Sequence, residues 1–329
     1  MKATLIFIFI LLLVPGPWQA AAVDVAIPDA NLEEELRDAL NKPTGPLTDA
    51  DLASLTHLAA TDADISNLTG LEHCINLTTL YLYDNQISDI SALANLTNLT
   101  RLSLFINQIS NISALANLTK LTNLTLDRNQ ISSIGALANL TNLTWLAIDT
   151  NQISNISALA NLTNLEHLFL SNNQISNISA LANLTNLKML YLSDSQISNI
   201  SALANLINLK SLLLRNNQIS NISALANLTN LENLYLSNNQ ISNISALANL
   251  TNLTWLDVNT NQISDISALA DLTNLDDLHL RDNPLNHEAY TIHIPLHQGR
   301  GVNVSFDPPI HTITASAGFG GSISPSGAV

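Results

Sequence analysis

From Leu55 onward the apolar positions obey one rule: leucine and isoleucine return in a fixed order every 22 residues, and the polar positions between them repeat almost as strictly. One unit, residues 77–98, reads LTTLYLYDNQISDISALANLTN. Nine full units begin at Leu77, Leu99, Leu121, Leu143, Leu165, Leu187, Leu209, Leu231 and Leu253. A degenerate unit precedes them at Leu55 and a terminal one starts at Leu275. Leu80 and Leu82 alternate with Thr79, Tyr81 and Tyr83. That period of two predicts a short strand with its leucines turned inward. Ile87, Ile90, Leu93 and Leu96 bring the chain back through the core, and Ala92 and Ala94 are small enough for a tight turn on the far side.

Where each strand ends, the backbone amides lose their sheet partners, and there the repeat carries an asparagine. Asn85, Asn107, Asn129, Asn151, Asn173, Asn217, Asn239, Asn261 and Asn283 share one register, broken only by Ser195. A buried Asn side chain offers both donor and acceptor, so a stack of them predicts a ladder that satisfies the bend from coil to coil. One unit cannot bury its own faces, so the units must stack. The predicted architecture is a right-handed α/β solenoid: a curved parallel sheet on the concave side, loops and short 3-10 turns on the convex side. About eleven strands at ~4.8 Å would make a sheet of about 50 Å.

Such a stack needs a cover at each end. Asp29 is placed to cap a helix over Ala30–Leu40 with Leu32, Leu36 and Leu40 on one face, and a second helical turn is expected after Thr48. At the other end Asn283-Pro284-Leu285 leaves the repeat. Residues 286–301 read as a helix or loop, residues 302–306 as a final strand, and Asp307-Pro308-Pro309 as a linker. The expected organisation is an export signal over 1–22, a helical cap over 23–54, repeats over 55–285, a second cap over 286–306, and a linker with further chain over 307–329.

The L-x-x-L-x-L-x-x-N spacing is the pattern of leucine-rich repeats. The acidic-flanked cap helix, the NQISDIS-type units and the short carboxy-terminal cap together resemble bacterial internalins and related surface leucine-rich-repeat proteins, over about residues 24–306. The segment HTITASAGFGGSISPSGAV, residues 311–329, resembles the opening hairpin of the β-rich repeat that often follows such solenoids. The resemblance implies recognition of a protein partner on the concave face, sometimes a host receptor.

The strand columns that face outward are those of Thr79, Tyr81, Tyr83 and Asp84. The return segment repeats nearly letter for letter, whereas these columns vary from unit to unit. Every aromatic residue between Leu55 and Asn283 falls in them: Tyr81, Tyr83, Phe105, Trp145, Phe169, Tyr191, Tyr235 and Trp255. So do all four arginines of that stretch, Arg101, Arg128, Arg215 and Arg281, while Lys120, Lys188 and Lys210 do not. Aromatic residues and arginine anchor interfaces and lysine is depleted from them. These twelve residues are therefore the expected partner-binding set. The same rings also favour strands and stabilise cross-strand pairs, so a structural spacer in a larger adhesin is an alternative, and carbohydrate binding by ring stacking is another.

Composition narrows the remaining possibilities. Net charge is −15, which repels phosphate backbones and anionic lipids and argues against nucleic acid and membrane surfaces. Lys2, the apolar run over residues 5–14, Pro15-Gly16-Pro17 and the small residues Ala20-Ala21-Ala22 read as a cleaved signal peptide, so the mature chain is expected outside the cell, secreted or on the cell surface, not inserted in a membrane, and monomeric. Cys74 has no partner and stands where other units carry leucine, which predicts a buried apolar role. The recurrent Asn-x-Ser/Thr triplets follow from the repeat itself. His287, Glu288, His293 and His297 could suggest zinc, but Pro295 is expected to break the helix that would align the last two, leaving solvated cap residues and no metal. Asp127, Asp149 and Asp257 lie on separate strands without a histidine or cysteine to complete a reaction. Neither an enzyme nor a cofactor is expected.

Overall fold

The computed structural model describes residues 22–309. The expected export signal, apart from Ala22, and the segment over 311–329 lie outside the described residues.

The amino-terminal cover is helix α1 (Ala30–Leu40) followed by the short helix α2 (Asp49–Ala53). α1 buries Leu32 and Leu36 and ends at Asn41 in a left-handed conformation with φ 50°. α2 opens with a capping box in which the Thr48 and Asp51 side chains each accept from the other's backbone N–H. Asp29 ties the cover to the first coil. Its Oδ1 accepts from the N–H groups of Asn31 and Leu32, each at 3.1 Å. Its Oδ2 accepts from the N–H groups of Ser66 (2.8 Å) and Asn67 (3.0 Å) and from the Ser66 hydroxyl (3.2 Å). Partial burial works to raise the Asp29 pKa, but these donors outweigh it and the carboxyl is held below its ordinary value. Gly70, in the same coil, has φ 101° and lies where a Cβ would come within 2.2 Å of Ile27 Cδ1.

The repeats then stack as one parallel sheet in sequence order. Its first six strands are β1 (His57–Ala59), β2 (Thr79–Tyr81), β3 (Arg101–Ser103), β4 (Asn123–Thr125), β5 (Trp145–Ala147) and β6 (His167–Phe169). It continues through β7 (Met189–Tyr191), β8 (Ser211–Leu213), β9 (Asn233–Tyr235), β10 (Trp255–Asp257), β11 (Asp277–His279) and β12 (Asn303–Ser305). From β1 to β11 residues 22 apart pair, as His57 with Thr79 and Leu58 with Leu80, so each central leucine stands above the last, and β12 then pairs Val304 with Leu278. A one-turn 3-10 segment crosses the convex side of each coil, as at Ser91–Leu93, and Asn111 and its equivalents cap these segments by accepting from Ser113 and its equivalents. The capping role accounts for the Asn-Ile-Ser triplets.

Each ladder asparagine makes the same bonds. Asn107 Oδ1 accepts from the Ile87 N–H at 2.9 Å, and its Nδ2 donates to the carbonyls of Leu82 (2.9 Å) and Leu104 (3.1 Å). The pattern recurs at Asn85, Asn129, Asn151, Asn173, Asn217, Asn239, Asn261 and Asn283. At Ser195 it fails: the hydroxyl is buried with no partner. A second asparagine ladder, unnoticed in the sequence, runs along the approach to the strands. Asn98 Nδ2 donates to the Ile75 carbonyl at 3.0 Å, with equivalents at Asn142 and onward through Asn274, and Lys120 replaces one rung. Cys74 is fully buried in a leucine register, and burial pushes its thiol pKa up to about 12.

The carboxy-terminal cover corrects one expectation. A π-helical turn, Ala289–His293, runs without a break into helix α3 (Ile294–Gly299). Pro295 directly follows this wider turn, in which the Ile294 N–H donates to the Ala289 carbonyl, and the helical path continues through it without interruption. His293 and His297 are consequently buried, at 7% and 0% exposure, not solvated. Among the described residues no group of three or more His, Cys, Asp or Glu side chains is placed to hold a metal ion. No described helix is long and apolar enough to cross a membrane.

Candidate concave recognition face

Three-residue strands leave four residues per coil on the concave side: the first and last of the strand and the second and third residues beyond it, since the residue directly after each of β2 to β11 is a buried Leu, Ile or Val. Trp145, Trp255 and Arg101 are first residues, and Tyr81, Phe169, Tyr191 and Tyr235 are last residues. Tyr83, Phe105, Arg215 and Arg281 stand two residues beyond their strands. Arg128 takes the next place, which is left-handed in every coil, from Asp84 at φ 58° to Asp282 at φ 54°. None of the twelve is buried. Arg101, Arg128 and Arg281 are exposed; the eight rings and Arg215 are half-buried.

The rings do not stand free in solvent. They lie against each other along the sheet, because parallel strands bring equivalent positions within stacking distance. Tyr83 and Phe105 stack with centroids 4.6 Å apart. Trp145 meets His167 at 4.8 Å and Phe169 at 5.0 Å, and Phe169 meets the edge of Tyr191 at 4.7 Å. A third group joins Tyr235, Trp255 and His279, at 5.9 Å and 4.9 Å. Tyr81 joins none of these contacts. The sequence columns led to the rings but not to His167 and His279, whose strand positions carried the same signal.

Arg215 extends the third group. Its guanidinium lies 4.3 Å from the Tyr235 ring centroid and pairs with Asp257 at 2.9 Å. Asp257 is only 5% exposed, so this ion pair fixes the arginine to the floor of the face. Arg215 Nε, Trp255 Nε1 and His279 Nε2 are left without partners. The repeat lysines are engaged elsewhere: Lys188 with Glu166 and Lys210 with Glu232, at 2.7 and 2.8 Å.

Asp127 and Asp149 have a structural job. Asp127 accepts from the Asp149 N–H at 2.8 Å, and Asp149 accepts from the Ser171 N–H. Ser171 and Ser193 hydroxyls and Asn259 do the same for the next coils, forming a short polar ladder at the strand exits. Burial, then the Asp127 charge, raises the Asp149 pKa to about 7, and burial raises Asp127 as well. Both carboxyls cap backbone N–H groups of the neighbouring coil.

Leucine-rich-repeat family models match residues 75–117, 163–205 and 207–249. Among solved structures, the chain is similar to an internalin, inlF, from Listeria monocytogenes, with 38% identity and a TM-score of 0.72 over 84% of this chain and 88% of that one. The functional domain of InlJ from the same organism matches with 26% identity and a TM-score of 0.77 over 85% of this chain and 60% of the other. A plant peptide hormone receptor, RGFR1, solved in complex with RGF2, matches with 26% identity and a TM-score of 0.55, over 72% of this chain and 44% of that one. No curated protein sequence matches the chain.

Proposed function

Because the chain belongs to the internalin-like leucine-rich-repeat proteins, we propose that it is an exported recognition module that holds a protein partner against its concave face. The observation that carries the reading is the distribution of variety. The core, the ladders and the convex turns are near-identical from coil to coil, while the concave columns alone carry aromatic residues and unpaired arginines. Arg101, Arg128 and Arg281 are exposed without an ion pair on a chain with carboxylates to spare. A rigid sheet holds these groups in place before binding, which lowers the entropic cost of association. The plant receptor's complex with RGF2 supports the same use of a leucine-rich-repeat solenoid. The amino-terminal pattern supports a secreted or cell-surface location.

The ring contacts bear on the alternatives. Only Tyr83 and Phe105 stack face to face, while the other ring pairs are tilted or edge-on, so carbohydrate stacking on the remaining faces stays an alternative. The same contacts favour the spacer reading, since stacked rings stabilise a sheet by themselves. Replacing Trp145, Phe169 and Tyr191 together with alanine separates the two. Recognition predicts at least a roughly tenfold loss of partner capture from cell-surface extracts, with circular dichroism unchanged. Undiminished capture with only a lower melting point would make the stripe a structural ladder.

A further inference from the structure

The carboxy-terminal cover encloses an arrangement that recognition does not use. All four ring nitrogens of His293 and His297 are buried and hydrogen-bonded to nothing. A buried donor or acceptor without a partner is costly, and a buried imidazolium without an acceptor far more so. For His297, which no carboxylate faces, burial favours the neutral imidazole. His297 is the more enclosed, at 0% exposure, and α3 packs against the Ala289–His293 turn and β12. The titratable or charged groups facing it are His293 from the turn and Arg300 just after its own helix, and β12 contributes only Asn303, Val304 and Ser305. His293 has Glu288 at 3.8 Å and feels Asp265, whereas nothing anionic faces His297.

We propose that His297, with His293 beside it, makes the carboxy-terminal cover an acid-sensitive latch: it stays closed while the His297 ring is neutral and opens when that ring takes a proton, releasing β12 from β11. Burial first, then Arg300 and His293, lower the His297 pKa from its ordinary value. The open form therefore binds the proton more readily than the closed form. Stability from the closed latch is complete above the exposed imidazole's pKa of about 6.5 and is lost as pH falls below it. Linkage allows the opening constant to rise by up to about tenfold per pH unit for this one group. The inference does not depend on what the concave face binds.

Hydrogen exchange on the intact chain at pH 7.5 and 5.0, corrected for intrinsic rates, tests it locally. The reporters are the N–H groups of Val302, Asn303 and Leu280, which donate to His297, Asp276 and Ser305 carbonyls. Their opening constants should rise roughly tenfold or more at pH 5.0 while the amides of β6 to β9 stay protected, and His297→Leu should abolish the rise. Equal protection at both pH values, or the same rise in the variant, overturns the latch. Should the variant not fold, NMR titration of the parent decides: a folded-state His297 that titrates at its ordinary pKa or above also overturns it.

Discussion

Asp29 at the amino-terminal end of the solenoid accepts five hydrogen bonds, two from its own helix and three from the first coil, whereas His293 and His297 at the other end make none through their rings. Both covers do the same job of closing an apolar stack, and both bury leucine or isoleucine side chains against it. What differs is how each disposes of its titratable groups. A carboxylate that gathers orphan N–H groups becomes a joint, and its charge is an asset at neutral pH. An imidazole sealed among apolar neighbours is only tolerated, and becomes a liability once it charges. The comparison predicts that acid loosens both ends but in different windows, the carboxy-terminal cover below about pH 6.5 and the amino-terminal joint only below about pH 4.

The largest effect should come from wedging the amino-terminal joint. Gly70→Ala would place a methyl 2.2 Å from Ile27 Cδ1 at a φ of 101°, where side chains are strained as well as crowded. A loss of about 2–4 kcal/mol is expected, read from the urea midpoint. An unchanged midpoint would mean that Ile27 does not seat the cover on that coil.

Asp29→Asn is a gentler break. It keeps the shape but removes the charge and turns one accepting oxygen into an NH2 donor, so at least two of the five bonds are lost, and it should cost about 1–3 kcal/mol. Its signature is in pH. The folded-state pKa of Asp29 is lowered, so its contribution is present above the ordinary carboxyl pKa of about 4 and lost as pH falls below it. Asp51, held at about 2 first by Lys42 and then by Thr48, follows the same sign. In the variant the stability curve below pH ~4 should flatten relative to the parent. Identical slopes would remove Asp29 from the account.

Much of this was legible in the sequence, for a physical reason: a repeat enforces its own rules. Once Leu77 and Leu99 stand in register, the strand, the Asn107 rung and the 3-10 turn follow, and the Asp29 cap is a local signal that α1 obeys. What was not legible depends on contacts between coils or on packing at the ends. The second ladder, from Asn98 to Ile75, spans two coils, and so do the Asp127 and Asp149 caps, which in one dimension look like isolated acids. Ring-on-ring contact along the concave face is likewise a matter of register between coils. The path through Pro295 was not legible because it depends on the π-helical turn before it, which one dimension does not show, and the burial of His293 and His297 goes with that path.

The smallest predicted effect separates burial from titration as the source of weakness. Ser195 is another place where a polar atom is buried without a partner, but its hydroxyl does not titrate in the range where histidine does. Ser195→Asn would restore the rung that Asn173 makes in the preceding coil, accepting from the Ile175 N–H and donating to the Leu170 and Leu192 carbonyls, as Asn173 does with Ile153, Ile148 and Leu170. A gain of about 1–2 kcal/mol is expected, on the scale of one or two net buried hydrogen bonds. Because no proton is involved, the gain should be the same at pH 7.5 and 5.0, unlike anything gained by replacing His297. A Ser195→Asn gain that disappears at pH 5.0 would mean that acid loosens the middle of the stack along with its end. The distinction between a sealed imidazole and a sealed hydroxyl would then fail.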